Sequence, residues 1–343
     1  MKAIFFRQHG DADVLEYGEL PEPKLLSNSV LVRVKAVALN HLDIFVRKGW
    51  PGLSLEFPHV PGSDVAGVVE RVGSEVSDLK VGEAVLVNPG LSCGHCERCL
   101  LGEDNLCRSY KSLGEHVRGG YAELVAVPRQ NILPKPSNLS FEQAACVPLT
   151  FLTAWTMLVR KAQVKPGETV LVHAAGSGVG SAGIQIAKLL GATVITTAST
   201  QEKLNRGKEL GADYLINYAQ TDFLKEVKKI TQRRMVDVVF EHVGTDTFEK
   251  SVASLPYGGR LVTCGATTGY EAKLDLRVLF YKQISLLGST MGSKGDLFRI
   301  LELVQQGRLR PVLDRVLPLQ KAAEAQRQLE SRAHFGNVVL VPS

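Results

Sequence analysis

No apolar run in the chain reaches the ~18 residues that a membrane-spanning helix needs, so no membrane partner is expected. The opening segment, Met1 to Gly10, carries Phe5 and Phe6 but no apolar stretch of signal-peptide length, and a cytoplasmic protein is expected. Internal repeats and low-complexity tracts are absent. Charge of one sign is also missing: 40 Lys and Arg oppose 35 Asp and Glu, for a net charge of +5. That balance is too mild to point to nucleic acid, though it suits an anionic cofactor. The densest basic run, Lys225, Lys228 and Lys229 with Arg233 and Arg234, has no aromatic platform interleaved with it. It reads as the solvated face of a helix, so no nucleic-acid partner is expected. Cysteine is scarce at six residues, yet four of them crowd between Cys93 and Cys107. In a reducing compartment such crowding reads as metal ligands instead of disulfides.

What is present has two textures. A chain of 343 residues is long for one core, so two domains are expected. Up to about residue 150, short β-rich stretches such as Val30–Val34 and Val65–Val72 are broken by prolines at 21, 23, 58, 61, 89, 134 and 136. Ser140 with Glu142 and Gln143 then marks a helix start, and the apolar stretch to Val159 reads as its continuation. From Thr169 strands and helices alternate: strand Thr169–Ala174, helix Gly180–Leu190, strand Thr193–Thr197, helix Gln201–Leu210, strand Tyr214–Asn217, helix Phe223–Ile230, then strands Val236–Glu241 and Arg260–Cys264. Such alternation implies an α/β fold with a parallel sheet wound by right-handed crossovers. An amphipathic helix after Asp296, a helix Ala322–Glu330 and a strand Asn337–Val341 close the chain.

The segment from Thr169 to Gly180 is a buried strand running into a glycine-rich turn, Gly176-Ser177-Gly178-Val179-Gly180, and then a helix. Glycines let the backbone approach a pyrophosphate, and the helix N-terminus supplies N–H donors. The strand before, the helix after and the next strand about twenty residues on provide the context that this dinucleotide site requires. NAD enzymes place an acid at the end of the second strand to hold the ribose 2′-OH. Here the end reads Ala198-Ser199-Thr200, with Lys203 and Arg206 following. The missing carboxylate removes repulsion against a 2′-phosphate, so NADPH is expected ahead of NADH.

Cys93, Cys96, Cys99 and Cys107 supply four thiolates separated by two, two and seven residues. Four soft ligands suit one tetrahedral Zn²⁺ and leave no open position for chemistry, so the zinc is expected to be structural. The long last gap and the lack of a proline after Cys107 disfavour an iron–sulfur cluster. His95, between ligands, reads as a surface residue.

In this order of features, with Pro61-Gly62-Ser63-Asp64, Gly119-Gly120-Tyr121-Ala122-Glu123, Leu210-Gly211-Ala212-Asp213 and Phe335-Gly336, the chain resembles the medium-chain dehydrogenase/reductase superfamily. Its zinc-type alcohol dehydrogenases and quinone oxidoreductases are matched over essentially the whole length. The resemblance implies a GroES-like catalytic domain from residues 1–149 and 291–343, with the zinc lobe near 90–110, and a Rossmann doubly wound parallel sheet from 150–290. It also implies cofactor contacts from Lys203 and Tyr218 at the adenosine phosphate. Val179, His242 and the Leu287–Met291 strand end, with Gly265 and Ser289, are expected around the nicotinamide.

The alcohol-dehydrogenase metal site is not reproduced. The segment Asn40-His41-Leu42-Asp43 lacks the family's cysteine and hydroxyl residue, Gly62-Ser63-Asp64 lacks its imidazole, and the second ligand cysteine falls at Leu149. What remains is too few ligands for catalytic zinc, so reduction of a quinone or enone without a catalytic metal is expected. Asn40 would donate to the substrate oxygen or the nicotinamide ribose, His41 would serve as proton donor or pyrophosphate contact, and Asp43 would support His41. Asp64 is a further catalytic candidate. The alternatives are an alcohol dehydrogenase with a metal site drawn from His41, Asp43, His59, Asp64 and Cys146, and a non-catalytic nucleotide-binding protein. Trp50, Phe57, Leu91, Phe151 and Phe280 suggest an apolar pocket for a small carbonyl-type substrate. The apolar edge strand Gln283–Ser289 is an aggregation hazard unless another chain covers it. A homodimer or homotetramer is therefore expected, because the resemblance implies edge-to-edge pairing there about a two-fold axis.

Overall fold

The computed structural model describes residues 1–342. Its contacts divide the described residues into two compact units: residues 1–149 with 292–342, and residues 150–291. No helix of the described residues is long and apolar enough to cross a membrane.

The first unit is built on a sheet whose strands lie in the order Leu313–Pro318, Asn337–Val341, Ser29–Ala38, Asp64–Val72, Ala84–Val87 and Ile132–Pro134, with Leu124–Pro128 also paired to Ser29–Ala38. All these pairings are antiparallel except that of Leu313–Pro318 with Asn337–Val341. The alternation at Val30–Val34 does not translate into one wet face, since both Leu31 and Val32 are fully buried. Ile4, Val32, Val65, Val125 and Leu340 belong to the unit's core. Fully burying one such aliphatic side chain contributes about 1.5–3 kcal/mol.

The second unit holds six parallel strands in the order Tyr214–Asn217, Thr193–Ala198, Thr169–Val172, Val238–Glu241, Arg260–Thr263 and Ser285–Gly288. Numbered along the sequence this is 3-2-1-4-5-6, the doubly wound order that places a ligand crevice between strands one and four. Leu171, Ile195, Val239 and Leu261 carry the core of this sheet.

The helix expected from Ser140 to Val159 is interrupted. Its start is as expected: Ser140 accepts the Gln143 N–H in a capping box, and the helix Phe141–Ala145 follows. Pro148, which has no N–H to continue the ladder, instead opens a second helix, Pro148–Trp155, and a π turn at Thr156–Lys161 ends it.

Candidate active site and metal lobe

Cys93, Cys96, Cys99 and Cys107 place their sulfurs within 4.8 Å of one another. Among the described residues this is the one group of three or more His, Cys, Asp or Glu side chains arranged to hold a metal ion. Three of its Sγ···Sγ distances are 3.8 Å (Cys93–Cys99), 3.6 Å (Cys96–Cys99) and 3.6 Å (Cys93–Cys107). A tetrahedron with Zn–S bonds of about 2.3 Å requires ~3.8 Å between sulfurs, so the residues fit the ion. Backbone N–H groups of His95 and Cys96 hold the Cys93 thiol below the usual range, favouring the thiolate that a metal binds. The lobe is anchored within its unit by Lys294, whose Nζ reaches Asp104 Oδ2 at 3.0 Å and Ser92 Oγ at 2.6 Å. His95 is exposed, with Nδ1 2.9 Å from the Cys93 carbonyl.

The positions aligned with the alcohol-dehydrogenase metal site look different. Asn40 precedes the helix His41–Lys48, and Asp43 sits in that helix's first turn. The Asp43 carboxylate is fully buried and accepts three hydrogen bonds: the Asn40 N–H at 2.8 Å, the Gly62 N–H at 3.1 Å and the Tyr121 hydroxyl at 3.0 Å. Gly62 has φ +100°, and a Cβ there would lie 2.2 Å from the Tyr121 ring. The turn thus needs glycine for both space and conformation. Asp43, expected behind His41, is therefore a cap and a strut between two turns. His41 itself is half-exposed, its ring 6.4 Å from that of Phe45 one turn on.

Asp64 is also fully buried. Its Oδ2 accepts the Asn40 side-chain N–H at 2.9 Å, and its Oδ1 accepts the Leu149 N–H at 2.8 Å. The Ser63 hydroxyl donates to the Leu113 carbonyl at 2.8 Å. Burial raises Asp64 to about 7 and Asp43 to about 6, against the hydrogen bonds that hold both carboxylates down. Cys146 is buried, its thiol 3.2 Å from the Glu142 carbonyl and pushed well up by burial and by Asp64. His59 is tied to the Gly114 carbonyl at 3.1 Å and packs 5.5 Å from the Phe6 ring. The donors proposed for a rearranged metal site are thus each engaged with protein partners. Among the described residues these five side chains do not bring their ligand atoms together as the cysteine lobe does.

In the second unit the glycine-rich turn follows the strand Thr169–Val172 and opens the helix Gly178–Leu189. Ser177 caps that helix by accepting the Gly180 N–H at 2.8 Å. A Cβ on Gly180 would lie 2.3 Å from the Ala174 carbonyl oxygen, so glycine permits the close approach of helix and turn. The strand Thr193–Ala198 ends in Ser199 and Thr200, and the Thr200 hydroxyl accepts the Lys203 N–H at 3.3 Å as the cap of the helix Gln201–Glu209. Ala198 pairs with Asn217, and the Tyr218 N–H bonds the Ala198 carbonyl at 3.1 Å. Ser199, Thr200, Lys203 and Tyr218 therefore share one corner of the sheet. Gly265 follows the strand Arg260–Thr263, its carbonyl accepting from Thr263 Oγ1 at 3.2 Å. Ser289, just past the last strand, has a buried hydroxyl with no partner among the described residues. Its vacant donor and acceptor capacity suits a polar ligand group.

Sequence reasoning missed His173 and Glu241, which lie buried beside His242. Only the unusual polar residues at two strand ends hinted at them. Of the expected substrate-lining residues, Phe151 is core and Phe280 is 69% exposed on the helix Leu276–Tyr281.

Residues 27–137 match the family model described as the alcohol dehydrogenase GroES-like domain, and residues 178–306 match that of zinc-binding dehydrogenases. A solved structure described as a NAD-dependent alcohol dehydrogenase is 53% identical with a TM-score of 0.96, covering 99% of each chain. The NAD-dependent alcohol dehydrogenase of Sulfurisphaera tokodaii is 34% identical over 96% of each chain. The quinone oxidoreductase of Sus scrofa is 31% identical over 99% of this chain and 98% of its own. The cysteine lobe, the doubly wound sheet and these likenesses converge: the chain belongs to the medium-chain dehydrogenase/reductase superfamily and is one of its nicotinamide-dependent oxidoreductases.

Proposed function

We propose that the chain reduces quinones or activated C=C (enone) substrates with NADPH in preference to NADH, without a catalytic metal. One observation carries this reading: the positions that the family resemblance assigns to zinc ligands are tied off within the protein. Asn40 and Leu149 both donate to Asp64, and Ser63 donates to Leu113.

The nicotinamide nucleotide would supply a hydride, its pyrophosphate held by the N–H groups of Gly178 and Val179 at the helix start. Val179, His242, Gly265 and the unpartnered Ser289 hydroxyl are the candidates around its nicotinamide. Hydride addition to the β-carbon of an enone moves charge onto the carbonyl oxygen, and the enolate then takes a proton. An Asn side chain has two amide hydrogens. Asp64 takes one, and the other would stabilise the substrate oxygen or hold the nicotinamide ribose. His41, half-exposed at its helix start, would deliver the proton. The substrate is a small apolar carbonyl compound or quinone.

NADPH is favoured by the lack of an acid at Ala198-Ser199-Thr200 and by the gathering of Lys203 and Tyr218 at that corner. The Thr200 hydroxyl accepts from its own helix and keeps its proton for a phosphate oxygen. Ala198→Asp should move the ratio of NADPH to NADH affinity at least tenfold toward NADH, about 1.4 kcal/mol. Fluorescence titration of both nucleotides checks this, and unmodified protein that binds NADH as tightly as NADPH refutes the preference.

The 53% identical structure, described as a NAD-dependent alcohol dehydrogenase, favours a second reading, alcohol oxidation with NAD. Zinc counted per chain, with kinetics on 1,4-benzoquinone, an enone and a primary alcohol, decides between them. One zinc and NADPH-dependent reduction are expected. Two zincs with NAD-dependent alcohol turnover would overturn the proposal.

A homodimer, or a tetramer of two dimers, is part of the same proposal. Ser285–Gly288 is the edge strand of the second unit's sheet. On its flanking helix Leu276 and Tyr281 are 66% and 69% exposed. A second copy pairing there would bury them and the open edge together. Light scattering that returned the 37.3 kDa monomer at micromolar concentration would remove this part.

A further inference from the structure

Beneath the glycine-rich turn of the second unit lies a chain of buried polar side chains whose hydrogen-bond direction can be assigned. Glu241, at the end of the strand Val238–Glu241, is fully buried. Its Oε1 accepts the Val243 N–H at 2.7 Å, and its Oε2 accepts the hydroxyls of Thr247 at 2.9 Å and Ser251 at 2.7 Å. Burial pushes this carboxyl up, and the hydroxyl and N–H donors that converge on it favour its ionised form. A carboxylate only accepts, so the Ser251 proton points at Glu241 and the serine oxygen receives the His173 Nε2–H at 2.9 Å.

Burial holds His173 below the usual histidine range, so the ring is neutral and Nδ1 is an acceptor. The Thr197 hydroxyl fills that acceptor at 3.2 Å. Having given its proton away, Thr197 Oγ1 accepts the Ala174 N–H, also at 3.2 Å. Ala174 has φ +51°, a left-handed conformation that a residue with a Cβ adopts only when its surroundings impose it. On its other side the Ala174 carbonyl accepts the Ser177 N–H at 2.9 Å and faces the bare Gly180. The turn is thus gripped at both ends of Ala174.

We propose that Glu241, Ser251, His173 and Thr197 form a directed hydrogen-bond relay that imposes this conformation on Ala174 and so pre-shapes the turn for a pyrophosphate. These are positioning residues: none of them touches the nucleotide in this scheme. The inference rests on the reading that the turn binds a nicotinamide nucleotide. It adds that the turn's shape is set from below, by a charge on a strand two hydrogen-bonded side chains away from the turn's own partner Thr197. His242 is part of the same arrangement, its Nε2 donating to the His173 carbonyl at 3.0 Å.

The test uses the full-length protein and two readouts. Amide hydrogen exchange of the peptide spanning residues 173–180, without nucleotide, reports the turn. Titration with NADPH and NADH reports binding. Thr197→Val keeps the shape and deletes the last link. It should speed exchange of the turn, and weaken nucleotide binding, by about three- to tenfold, the effect of one hydrogen bond. Thr197→Ser should restore both to within about twofold, and kcat at saturating nucleotide should stay within about twofold in each variant. Glu241→Gln removes the charge that orients the relay, and Ser251→Ala cuts its middle link should the first variant fail to fold. Because the links act in series, combining either with Thr197→Val should add little to the larger single effect.

Full additivity in these cycles, or unchanged exchange of the turn in Thr197→Val, would overturn the relay. A wild-type chain that binds neither nucleotide would instead overturn the cofactor reading, and the exchange data would still decide the relay.

Discussion

Two places in the first unit correspond to metal sites in the family this chain resembles, and the chain treats them in opposite ways. In the lobe at Cys93–Cys107 four sulfurs converge on a common centre, and the spacing between them is that of a zinc tetrahedron. Asn40 and Leu149 instead donate to one buried carboxylate, Asp64, one to each oxygen, while Ser63 donates to the Leu113 carbonyl. Both regions contain groups that can bind metal. The difference is arrangement: in the lobe the ligand atoms face a shared point, and in the other region each carboxylate oxygen already accepts a hydrogen bond from the protein. Donor identity alone does not make a metal site; the competing hydrogen bonds decide it.

The largest effect that would break this comparison lies in the lobe. Cys99→Ser should abolish stoichiometric zinc and lower stability by on the order of 3–5 kcal/mol, as losing a structural crosslink does. Metal analysis and a thermal melt would show it, while turnover at a temperature well below the melt stays close to wild type. A variant that lost turnover in proportion to zinc, with its melt unchanged, would show that the lobe is more than structural.

Next in size is a pH effect confined to the closed region. Asp64 lies at about 7 and Asp43 at about 6 in the fold, against 3.8 for an ordinary aspartate. Folded carboxyls with raised values bind protons more tightly than unfolded ones. Their contribution is therefore complete below about pH 4 and is lost as pH rises through 6 and then 7. For Asp64 the loss is roughly 2–4 kcal/mol. The thermal midpoint should fall between pH 5 and pH 8, and Asp64→Asn should flatten that slope. An unaltered slope in this variant would mean that Asp64 is not the titrating group.

Asn40→Ala sharpens the contrast further. It leaves Asp64 Oδ2 buried without its donor, which costs about 1–3 kcal/mol at neutral pH and should largely vanish near pH 5, where Asp64 is protonated. A cost independent of pH would point to packing and not to the lost hydrogen bond. The smallest expected effect is on metal content: Asn40→Cys should leave zinc at one per chain, because Ser63 and Leu149 still offer no matching ligands. A second equivalent of zinc in that variant would break the comparison outright.

How much of this was readable beforehand differs between units. In the second unit the helices Gln201–Glu209 and Phe223–Ile230 and the strand Tyr214–Asn217 follow the periodic pattern closely, because short crossovers leave a parallel sheet few alternatives. The continuous helix from Ser140 to Val159 instead breaks at Pro148, where the missing N–H outweighs the apolar pattern. Hydrophobicity alone does not separate Phe151, which is buried, from Phe280, which lies exposed beside an edge strand.

Local sequence by itself determined the things that depend on near neighbours. The cysteine spacing defines a ligand set, the glycine-rich turn between strand and helix defines a phosphate cradle, and the absent acid at Ala198–Thr200 defines the cofactor corner. Tertiary structure alone decided what depends on partners far apart in the chain. It joined Asn40 to Asp64 and Asp64 to Leu149, made Asp43 a strut between Gly62 and Tyr121, and linked Glu241 through Ser251 and His173 to Thr197. The reason is physical. A buried polar group must find a donor or acceptor wherever packing brings one, and a sequence lists the groups without saying which of them will meet.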